Sequence, residues 1–178
     1  VYLLEKTRII NAPPGERNYH IFYQMQIGAS DAERKEWKLE SGLDKYAYTK
    51  TGSFTVDGVD DKVEWEDSCK KLETLGIAGD QYKQMMKLIA ANLAIGNIEF
   101  EKAKTGSDRD STAGAMQIKN PDQLKKVCDL LEVEEKLLNE KMVKRLIKTK
   151  SEEYTVMLKD SECIDTRDAL AKQIYSEL

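Results

Sequence analysis

The sequence predicts a mainly helical fold with short β hairpins and a short strand. Apolar residues recur every three or four positions through several segments, which is the spacing of one face of a helix. Several of these segments start at a capping side chain or stop at a glycine. Alternation of apolar and polar residues, which is typical of strands, is confined to short runs. The 178 residues are enough for one domain with a core and too few for two domains of ordinary size.

The first forty residues are predicted to form a short strand and two helices. The β-prone run Tyr2–Ile10 is broken by the sequence NAPPG. A helix follows over residues 16–27, with its aromatic residues at helical spacing. A second helix starts at the capping-box pair Ser30 and Glu33, and Gly42 ends it.

The middle of the chain is predicted to form a small hairpin and two longer helices. Alternation over Tyr46–Val56 predicts the hairpin, which turns at its glycine. A helix over Val63–Leu75 has Gly76 just past its end. Its inward residues are Trp65, Cys69 and Leu72. The next helix has Asp80 as a candidate cap and stops at Gly96. Its apolar stripe consists of Tyr82, Met85, Met86, Ile89 and Leu93.

The C-terminal third is predicted to hold three helices and a second hairpin. Asn120–Gln123 has the pattern of a helix start: a capping asparagine, a proline in the first turn and a glutamine that reaches back. The face that follows consists of Leu124, Val127, Cys128 and Leu131. A further helix is predicted over residues 134–147 and a hairpin over residues 149–158. The last helix starts at Asp160 or Ser161.

Composition excludes several classes of protein. The net charge is −4 with both signs interspersed, so a broad basic footprint for nucleic acid is absent. The most apolar run, Met85–Ile98, is interrupted by polar residues and is shorter than the ~18–20 residues that span a bilayer. The segment Glu101–Thr112 has no apolar residue larger than alanine and is predicted to be a mobile surface loop. Because both ends fall inside predicted elements, the chain is expected to be a piece of a longer protein.

Motifs for nucleotide or metal chemistry are missing from the sequence. A P-loop requires a Gly-Lys pair, and a zinc protease helix requires two histidines, whereas His20 is the sole histidine. The acidic run Asp57–Asp61 lacks the ligand rhythm of a calcium loop and is predicted to be a turn. The three cysteines are far apart and odd in number, which favours free thiols in a reducing compartment. They are Cys69, Cys128 and Cys163.

His20 lies in the stretch ERNYHIFYQ, next to aromatic residues on a predicted helix. A catalytic histidine needs a cleft and an orienting partner, and neither is visible in the sequence. A structural role for His20 is therefore favoured over a cysteine-dependent enzyme that would use it as a base.

Five stretches occur in order along the chain: YLLEKTR (Tyr2–Arg8), GERNYHIFYQ (Gly15–Gln24), GVDD (Gly58–Asp61), AANLAIGNIEFE (Ala90–Glu101) and RDALAKQIYSEL (Arg167–Leu178). Together they resemble the myosin motor domain. Family members read close to YLLEKSRV, GERNFHIFYQL, LHLGNI-x-F and RDALAK-x-IY-x-x-LF. The resemblance covers essentially the whole chain. It departs at Ala94 and Ile95, where the family has His and Leu, so that packing alone is in question there.

The resemblance implies that the chain is one segment of a larger motor protein. Residues 1–178 look like a single segment of the upper 50-kDa subdomain of a P-loop NTPase-type myosin head, between switch I and switch II. The first strand would leave switch I, and the P-loop and both switches would lie outside this chain. ATP and Mg²⁺ would serve the parent motor, an actin-activated ATPase, whereas the segment alone would bind neither and be inactive. The implied location is the cytoplasm, in association with the cytoskeleton.

The resemblance also implies partners and a binding surface. Actin filaments and the remainder of the head would be partners, and light chains or calmodulin would bind only through regions outside this chain; nucleic acid and a membrane span are not expected. Residues 101–112 fall where the family carries loop 4, and residues 148–158 where it carries the actin-facing cardiomyopathy loop. The candidate actin-binding residues are Lys148, Lys150, Ser151, Glu152, Glu153 and Tyr154.

Glu152 stands sixteen residues before Asp168, at the position where the family has an acid or a phosphorylatable residue. A fixed acid there resembles a myosin whose engagement of actin needs no phosphorylation at this site. The plainer interpretation is an ordinary acid at a hairpin tip. For the chain as a whole, a stand-alone helical interaction module without motor activity is the alternative function, and the sequences flanking the segment would decide between the two.

Overall fold

The computed structural model describes residues 5–103, 115–149 and 152–178. These residues form seven α-helices and two pairs of strands. The helices are α1 (His20–Gly28), α2 (Asp31–Glu36), α3 (Asp61–Thr74), α4 (Gly79–Gly96), α5 (Pro121–Leu131), α6 (Glu135–Val143) and α7 (Asp160–Ser176). The strands are β1 (Phe100–Lys102), β2 (Met116–Ile118), β3 (Lys144–Lys148) and β4 (Glu153–Met157). The predicted class, mainly helical with short hairpins, is confirmed. Its place in a P-loop NTPase-type head stays a prediction.

Helix α4 is the centre of the core. Every residue from Ile89 to Gly96 is buried, so the second half of the helix is covered on all sides. Helices α5 and α7 pack against it, and α1 joins it to α3. The predicted apolar stripe is confirmed, since Met86, Ile89 and Leu93 are buried and its other two members pack against the core. Each fully buried side chain of this size contributes about 1.5–3 kcal/mol relative to exposure.

Four helices begin and end close to their predicted bounds. Asp60 caps α3 by accepting hydrogen bonds from the backbone N–H groups of Lys62 and Val63, and Gly76, at φ +84°, lies just past its end. Helix α4 ends at Gly96, although Ala78 rather than Asp80 is its N-cap residue. Helix α5 starts at its proline, and α7 starts at Asp160. Local sequence chemistry therefore determines these four elements.

Helix α2 confirms its capping box but ends earlier than predicted. The Ser30 side chain accepts from the Glu33 N–H, and the Glu33 carboxylate accepts from the Ser30 N–H. The helix ends at Glu36 rather than at Gly42, because Lys38 adopts the left-handed conformation with φ +52°. The Leu39 N–H then donates to the Arg34 carbonyl at 2.8 Å, which closes a Schellman motif without a glycine.

The prediction for α1 placed its start too early. The helix begins at His20 rather than at residue 16, because Arg17 and Asn18 are buried in a non-helical conformation. The predicted strand before it is also wrong over its described part, where Lys6–Ile9 forms a 3₁₀ helix. Residues 2–4 lie outside the described residues. Side-chain demands of the core, described below, override the local pattern in both places.

The predicted hairpin over residues 46–56 is wrong. Residues 43–45 form a 3₁₀ helix, and turns follow. The side chain of Asn97 satisfies backbone groups of this segment. It accepts a hydrogen bond from the Ala47 N–H at 2.8 Å and donates one to the Lys45 carbonyl at 2.7 Å. A side chain from α4's end thus takes the place of a partner strand, which no local pattern reveals.

The second hairpin is confirmed, but its first strand lies in the stretch predicted as the end of a helix. Helix α6 stops at Val143 rather than at residue 147, and β3 follows it directly. Strands β3 and β4 are antiparallel, with Leu146 opposite Thr155 and Ile147 opposite Tyr154. Cross-strand pairs between β-branched, aliphatic and aromatic residues stabilise such a ladder, and here they outweigh the helical spacing of the preceding leucines.

Replacing Gly28 with alanine is expected to destabilise the α1–α3 contact by about 1–3 kcal/mol, the usual cost of overpacking. A Cβ atom at Gly28 would lie 2.3 Å from Cγ and Cδ1 of the Trp65 indole. That ring cannot swing aside, because it is buried and packs edge-on against Trp37 with centroids 6.3 Å apart. Amide hydrogen exchange of α1 and α3 in the complete motor domain measures the loss. Protection equal to the wild type, or no relief on adding Trp65→Leu, would contradict the proposed clash.

Candidate functional site

The hairpin β3–β4 brings four of the six candidate binding residues together on the surface. Lys148, Glu152, Glu153 and Tyr154 are all exposed. Lys148 and Glu153 face each other across the strands, with Nζ and Oε1 2.6 Å apart. Lys150 and Ser151 lie outside the described residues.

Glu152 has a defined backbone position at the turn. The hydroxyl of Thr149 accepts from the Glu152 N–H at 3.0 Å, and the Thr149 N–H donates to the Glu152 carbonyl at 2.8 Å. The side chain is exposed, and its carboxylate makes no hydrogen bond to the described residues. This arrangement suits recognition of a charged surface, because the charge is presented without prior ordering of the backbone.

The end of the hairpin opposite its turn is anchored in the core. The Leu158 N–H donates to the Val143 carbonyl at 2.9 Å, and both residues are buried. Helix α6 enters the hairpin directly, and α7 leaves it three residues after β4 ends. The hairpin is therefore a projection of the α6–α7 pair, with its tip exposed and its base fixed.

Basic side chains flank the hairpin on the side of α7. A cleft of about 620 Å³ between β3 and α7 is lined by Lys141, Lys144 and Arg145 as well as by Glu162 and Asp165. Arg145 and Glu162 approach to 4.0 Å, which is a weak exposed pair. The surface beside the hairpin thus carries mixed charge with three cations close together.

The other predicted binding segment lies between β1 and β2. These strands pair antiparallel, with Phe100 opposite Ile118 and Lys102 opposite Met116. Most of the predicted loop 101–112 lies outside the described residues, so the structure describes its entry at Glu101–Ala103 alone. β1 packs against α7 and β2 against α6, and α6 also contacts β3, so α6 touches both strand pairs.

A polar network in the core joins three of the sequence stretches described above. Asn18 donates through Nδ2 to the carbonyls of Ile9 at 2.6 Å and Tyr48 at 2.8 Å. The Tyr48 hydroxyl donates to the Asp168 carboxylate at 2.7 Å. Arg167 donates to that carboxylate and also to the Ile98 carbonyl. Sequence reasoning missed this network, because the motifs that form it are far apart in the chain.

Comparison with known proteins assigns the family. The model of the myosin head (motor domain) family matches residues 1–178, which is the whole chain. The chain belongs to the myosin head family. Myosin-2B of Naumovozyma castellii is 36% identical over 177 residues, which are 99% of this chain and 12% of that relative. Unconventional myosin-Ib of Homo sapiens is 33% identical over 177 residues, 99% of this chain and 15% of that relative.

The chain therefore spans a small part of the relatives that it matches. Unconventional myosin ID of Drosophila melanogaster is 36% identical over 180 residues, which cover 99% of this chain and 16% of that relative. A match along the whole chain to a motor-domain family confirms the resemblance drawn from the motifs. It also disfavours a helical interaction module without a motor.

His20 has a partner in this myosin head segment that sequence reasoning did not find. Arg17 donates through Nη2 to His20 Nδ1 at 2.7 Å, because a guanidinium has no acceptor. Partial burial, and next the charge of Arg17, lower the pKa of His20. The occupied Nδ1 and the depressed pKa favour a neutral, structural imidazole over a general base.

The cysteines of this segment are not arranged as nucleophiles. Burial raises the pKa of all three thiols, that of Cys163 to about 11, whereas an activated thiol has a lowered pKa. The Sγ of Cys69 lies 3.3 Å from the Tyr82 hydroxyl, and no hydrogen bond joins a cysteine to His20 among the described residues. In the same ranges, no group of three or more His, Cys, Asp or Glu side chains is placed to hold a metal ion. None of the described helices is long and apolar enough to span a membrane.

Proposed function

We propose that this chain is the upper 50-kDa segment of an actin-based, ATP-driven myosin motor, and that it supplies actin-binding surface and coupling rather than the nucleotide site. The observation that carries the proposal is the hairpin β3–β4, an exposed charged projection fixed at its base to α6 and α7. A rigid base with an exposed tip is what a docking loop requires, because little ordering remains to be done on binding.

Actin contacts in this proposal come from the hairpin, with residues 101–112 as a second contact. The hairpin residues are Lys148, Lys150, Ser151, Glu152, Glu153 and Tyr154. Exposed cations beside the hairpin steer the head toward an acidic filament surface, and such steering weakens as the salt concentration rises. Tyr154, which is 48% exposed, adds apolar contact area at a small cost in conformational entropy.

Glu152 acts in this proposal as a permanent negative charge in place of a regulatory phosphate. A phosphate would carry close to −2 at neutral pH, whereas the carboxylate carries −1 without a kinase. The hydrogen bonds between Thr149 and Glu152 support this role, because they fix the backbone of the residue that carries the charge.

The nucleotide chemistry belongs to other parts of the head. ATP and Mg²⁺ bind there in this proposal, since the chain has no Gly-Lys pair for a P-loop. The chain's own residues transmit the state of the head to the filament. Light chains or calmodulin bind through regions beyond this segment, and the motor works in the cytoplasm on the actin cytoskeleton.

In this proposal the Glu152 carboxylate pairs with a basic group on the filament, which a lysine would repel. Replacing Glu152 with lysine in the complete head is therefore expected to lower the actin-activated ATPase rate about threefold to tenfold, since each 1.4 kcal/mol of lost complementarity is tenfold. The basal ATPase without actin should stay unchanged. Steady-state ATPase assays over a range of actin concentrations measure both rates.

Glu73→Lys on α3 is the matched control, since Glu73 is also exposed and the change in charge is identical. Glu152→Gln should give an intermediate rate and Glu152→Asp a rate near the wild type. An unchanged actin-activated rate in Glu152→Lys would overturn the role of the hairpin acid.

A further inference from the structure

Arg17 connects three parts of the fold from a buried position just before α1. Its Nη1 and Nη2 atoms donate to the two carboxylate oxygens of Asp61 on α3, at 2.8 and 2.9 Å. The guanidinium also lies over the ring of Tyr23 on α1, 4.7 Å from its centre. The Arg17 carbonyl accepts from Arg8 of the N-terminal 3₁₀ helix at 3.3 Å. The contact between α1 and α3 therefore depends on where this one guanidinium is held.

His20 supplies a further acceptor for the same guanidinium. Its Nδ1 accepts from Nη2 of Arg17, with the two atoms 2.7 Å apart, and that Nη2 also donates to Asp61. A guanidinium is a donor only, so this bond requires a ring nitrogen that carries a free lone pair. Both nitrogens of a protonated imidazole are donors. The bond between Arg17 and His20 therefore exists only while His20 is neutral.

A proton on His20 would also place a positive charge in unfavourable surroundings. The ring faces the charge of Arg17, and Arg8 adds a smaller repulsion. His20 is the first residue of α1, where the helix dipole disfavours a cation. Asp61 and Glu64 on α3 favour the proton, but Asp61 already accepts from both terminal nitrogens of Arg17. Partial burial, and next the charge of Arg17, prevail and lower the pKa of His20 from its ordinary value of 6.5.

We infer that Arg17 and His20 form a pH-sensitive latch between α1 and α3, in which neutral His20 helps to hold Arg17 on Asp61 and protonation of His20 removes that support and loosens the contact. His20 is exposed, so protons reach the ring directly from solvent. Arg17 keeps its bonds to Asp61 in the acid form, so the latch weakens the contact without abolishing it. The inference is independent of the proposed actin-binding role, because all three residues lie away from the hairpin β3–β4.

The direction of the pH effect follows from the lowered pKa of His20. When α1 opens, His20 regains its ordinary proton affinity, so the opened state binds the proton more readily than the closed state. Stabilisation by neutral His20 is therefore complete above about pH 6.5, and it is lost as the pH falls below that value until the closed state is protonated as well. At about one pH unit below the ordinary pKa, this linkage changes the opening equilibrium by at most about tenfold.

Hydrogen exchange of the complete motor domain between about pH 7.5 and about pH 5.5 tests the latch. After correction for the intrinsic exchange rate, protection of α1 and α3 is expected to fall about threefold to tenfold relative to α5. Helix α5 is the internal reference, because it packs against α4 and α6. Slow exchange of the His20 Cε1 hydrogen, followed in the same samples, gives the midpoint of the imidazole titration. Protection that follows α5 over the whole range, or that falls with a different midpoint from His20, would overturn the inference.

Two substitutions separate the latch from other effects of acid. His20→Gln keeps a neutral acceptor at every pH, so α1 and α3 should stay protected at about pH 5.5. His20→Lys carries the charge permanently, so protection should be lowered already at about pH 7.5 and should change little on acidification. Ile27→Lys adds the same charge at an exposed position near the other end of α1 and is the matched control, with the protection and pH response of the wild type. An acid step that persists in His20→Gln would contradict the latch.

A merely structural role for His20 gives a different pattern. If the ring only fills space, His20→Gln and His20→Lys should lower protection equally at both pH values, and the wild type should show no acid step. Melting curves at about pH 7.5 establish that both variants fold before their exchange is compared. Because the latch is closed at that pH, actin assays of the Glu152 variants do not depend on it, so the two proposals fail separately.

Discussion

Replacing Arg17 with alanine is expected to lower the local free energy of unfolding around α1 and α3 by about 3–5 kcal/mol, the cost of leaving a buried charge without its partner. Arg17 bonds Asp61 with two donors, at 2.8 and 2.9 Å, and both side chains are almost fully buried. The guanidinium also lies 4.7 Å from the centre of the Tyr23 ring. Removing the guanidinium leaves the Asp61 carboxylate, at the start of α3, buried without its charge partner.

Hydrogen exchange of the α1 and α3 amides in the complete motor domain measures this loss, because it resolves local opening that a single melting curve would average. Asp61→Asn is the complementary variant and should be milder, since an amide still accepts one of the two bonds. The double variant Arg17→Met with Asp61→Leu should recover much of the protection, as replacement of a whole buried pair by apolar residues often does. Protection that is unchanged in Arg17→Ala would show that the pair contributes little.

The ion pair illustrates what the sequence could not reveal. Asp61 belongs to the acidic run predicted to be a turn before a helix, and Arg17 lies 44 positions away on another predicted helix. The turn and the helix start were predicted correctly, because Asp60 caps α3 through local hydrogen bonds. Which of several neighbouring acids is buried depends on tertiary packing, and 32 acids in the chain make every pairing look equally plausible.

Local patterns predicted the elements whose hydrogen bonds are local. Helices α3, α4, α5 and α7 lie close to their predicted places, since caps, a proline and periodic apolar faces determine them. The hairpin over residues 46–56 was wrong because a distant side chain holds its backbone, as Asn97 holds the segment at Ala47. Asn120 shows the same effect within a correct prediction, because it starts α5 but bonds the backbone at Asn97 and Glu99 instead of capping.

The same distinction between local and distant contacts applies to the candidate site. The turn, the strand β4 and their exposed charges were predictable, because alternation and a polar turn appear in consecutive residues, whereas β3 lies in a stretch predicted as helix. The base of the hairpin and the hydrogen bonds of Arg167 were not predictable, because they depend on contacts with Val143 and Ile98 from other elements. Function at a docking loop depends on both parts, since an exposed charge is useful only where its support holds it.

Replacing Asn18 with alanine is expected to cost about 2–4 kcal/mol of local stability, because unsatisfied buried polar groups cost about 1–3 kcal/mol each. Asn18 is 1% exposed. Its Nδ2 donates to the carbonyls of Ile9 and Tyr48, and its Oδ1 accepts from the Tyr19 N–H at 2.7 Å. Alanine leaves all three backbone groups without this partner, at the point where the N-terminal segment, α1 and the Tyr48 segment meet.

Asn18→Asp is the sharper test, because it keeps the shape and removes the two donors. A carboxylate oxygen would then face the Ile9 and Tyr48 carbonyls at the present 2.6 and 2.8 Å, so repulsion replaces both bonds. Asn18→Asp should therefore lose more hydrogen-exchange protection at Tyr48 and α1 than Asn18→Ala does. It should regain part of that protection as the pH falls, because a protonated acid can donate once. Equal protection in the two variants, without dependence on pH, would mean that the volume of Asn18 matters and its hydrogen bonds do not.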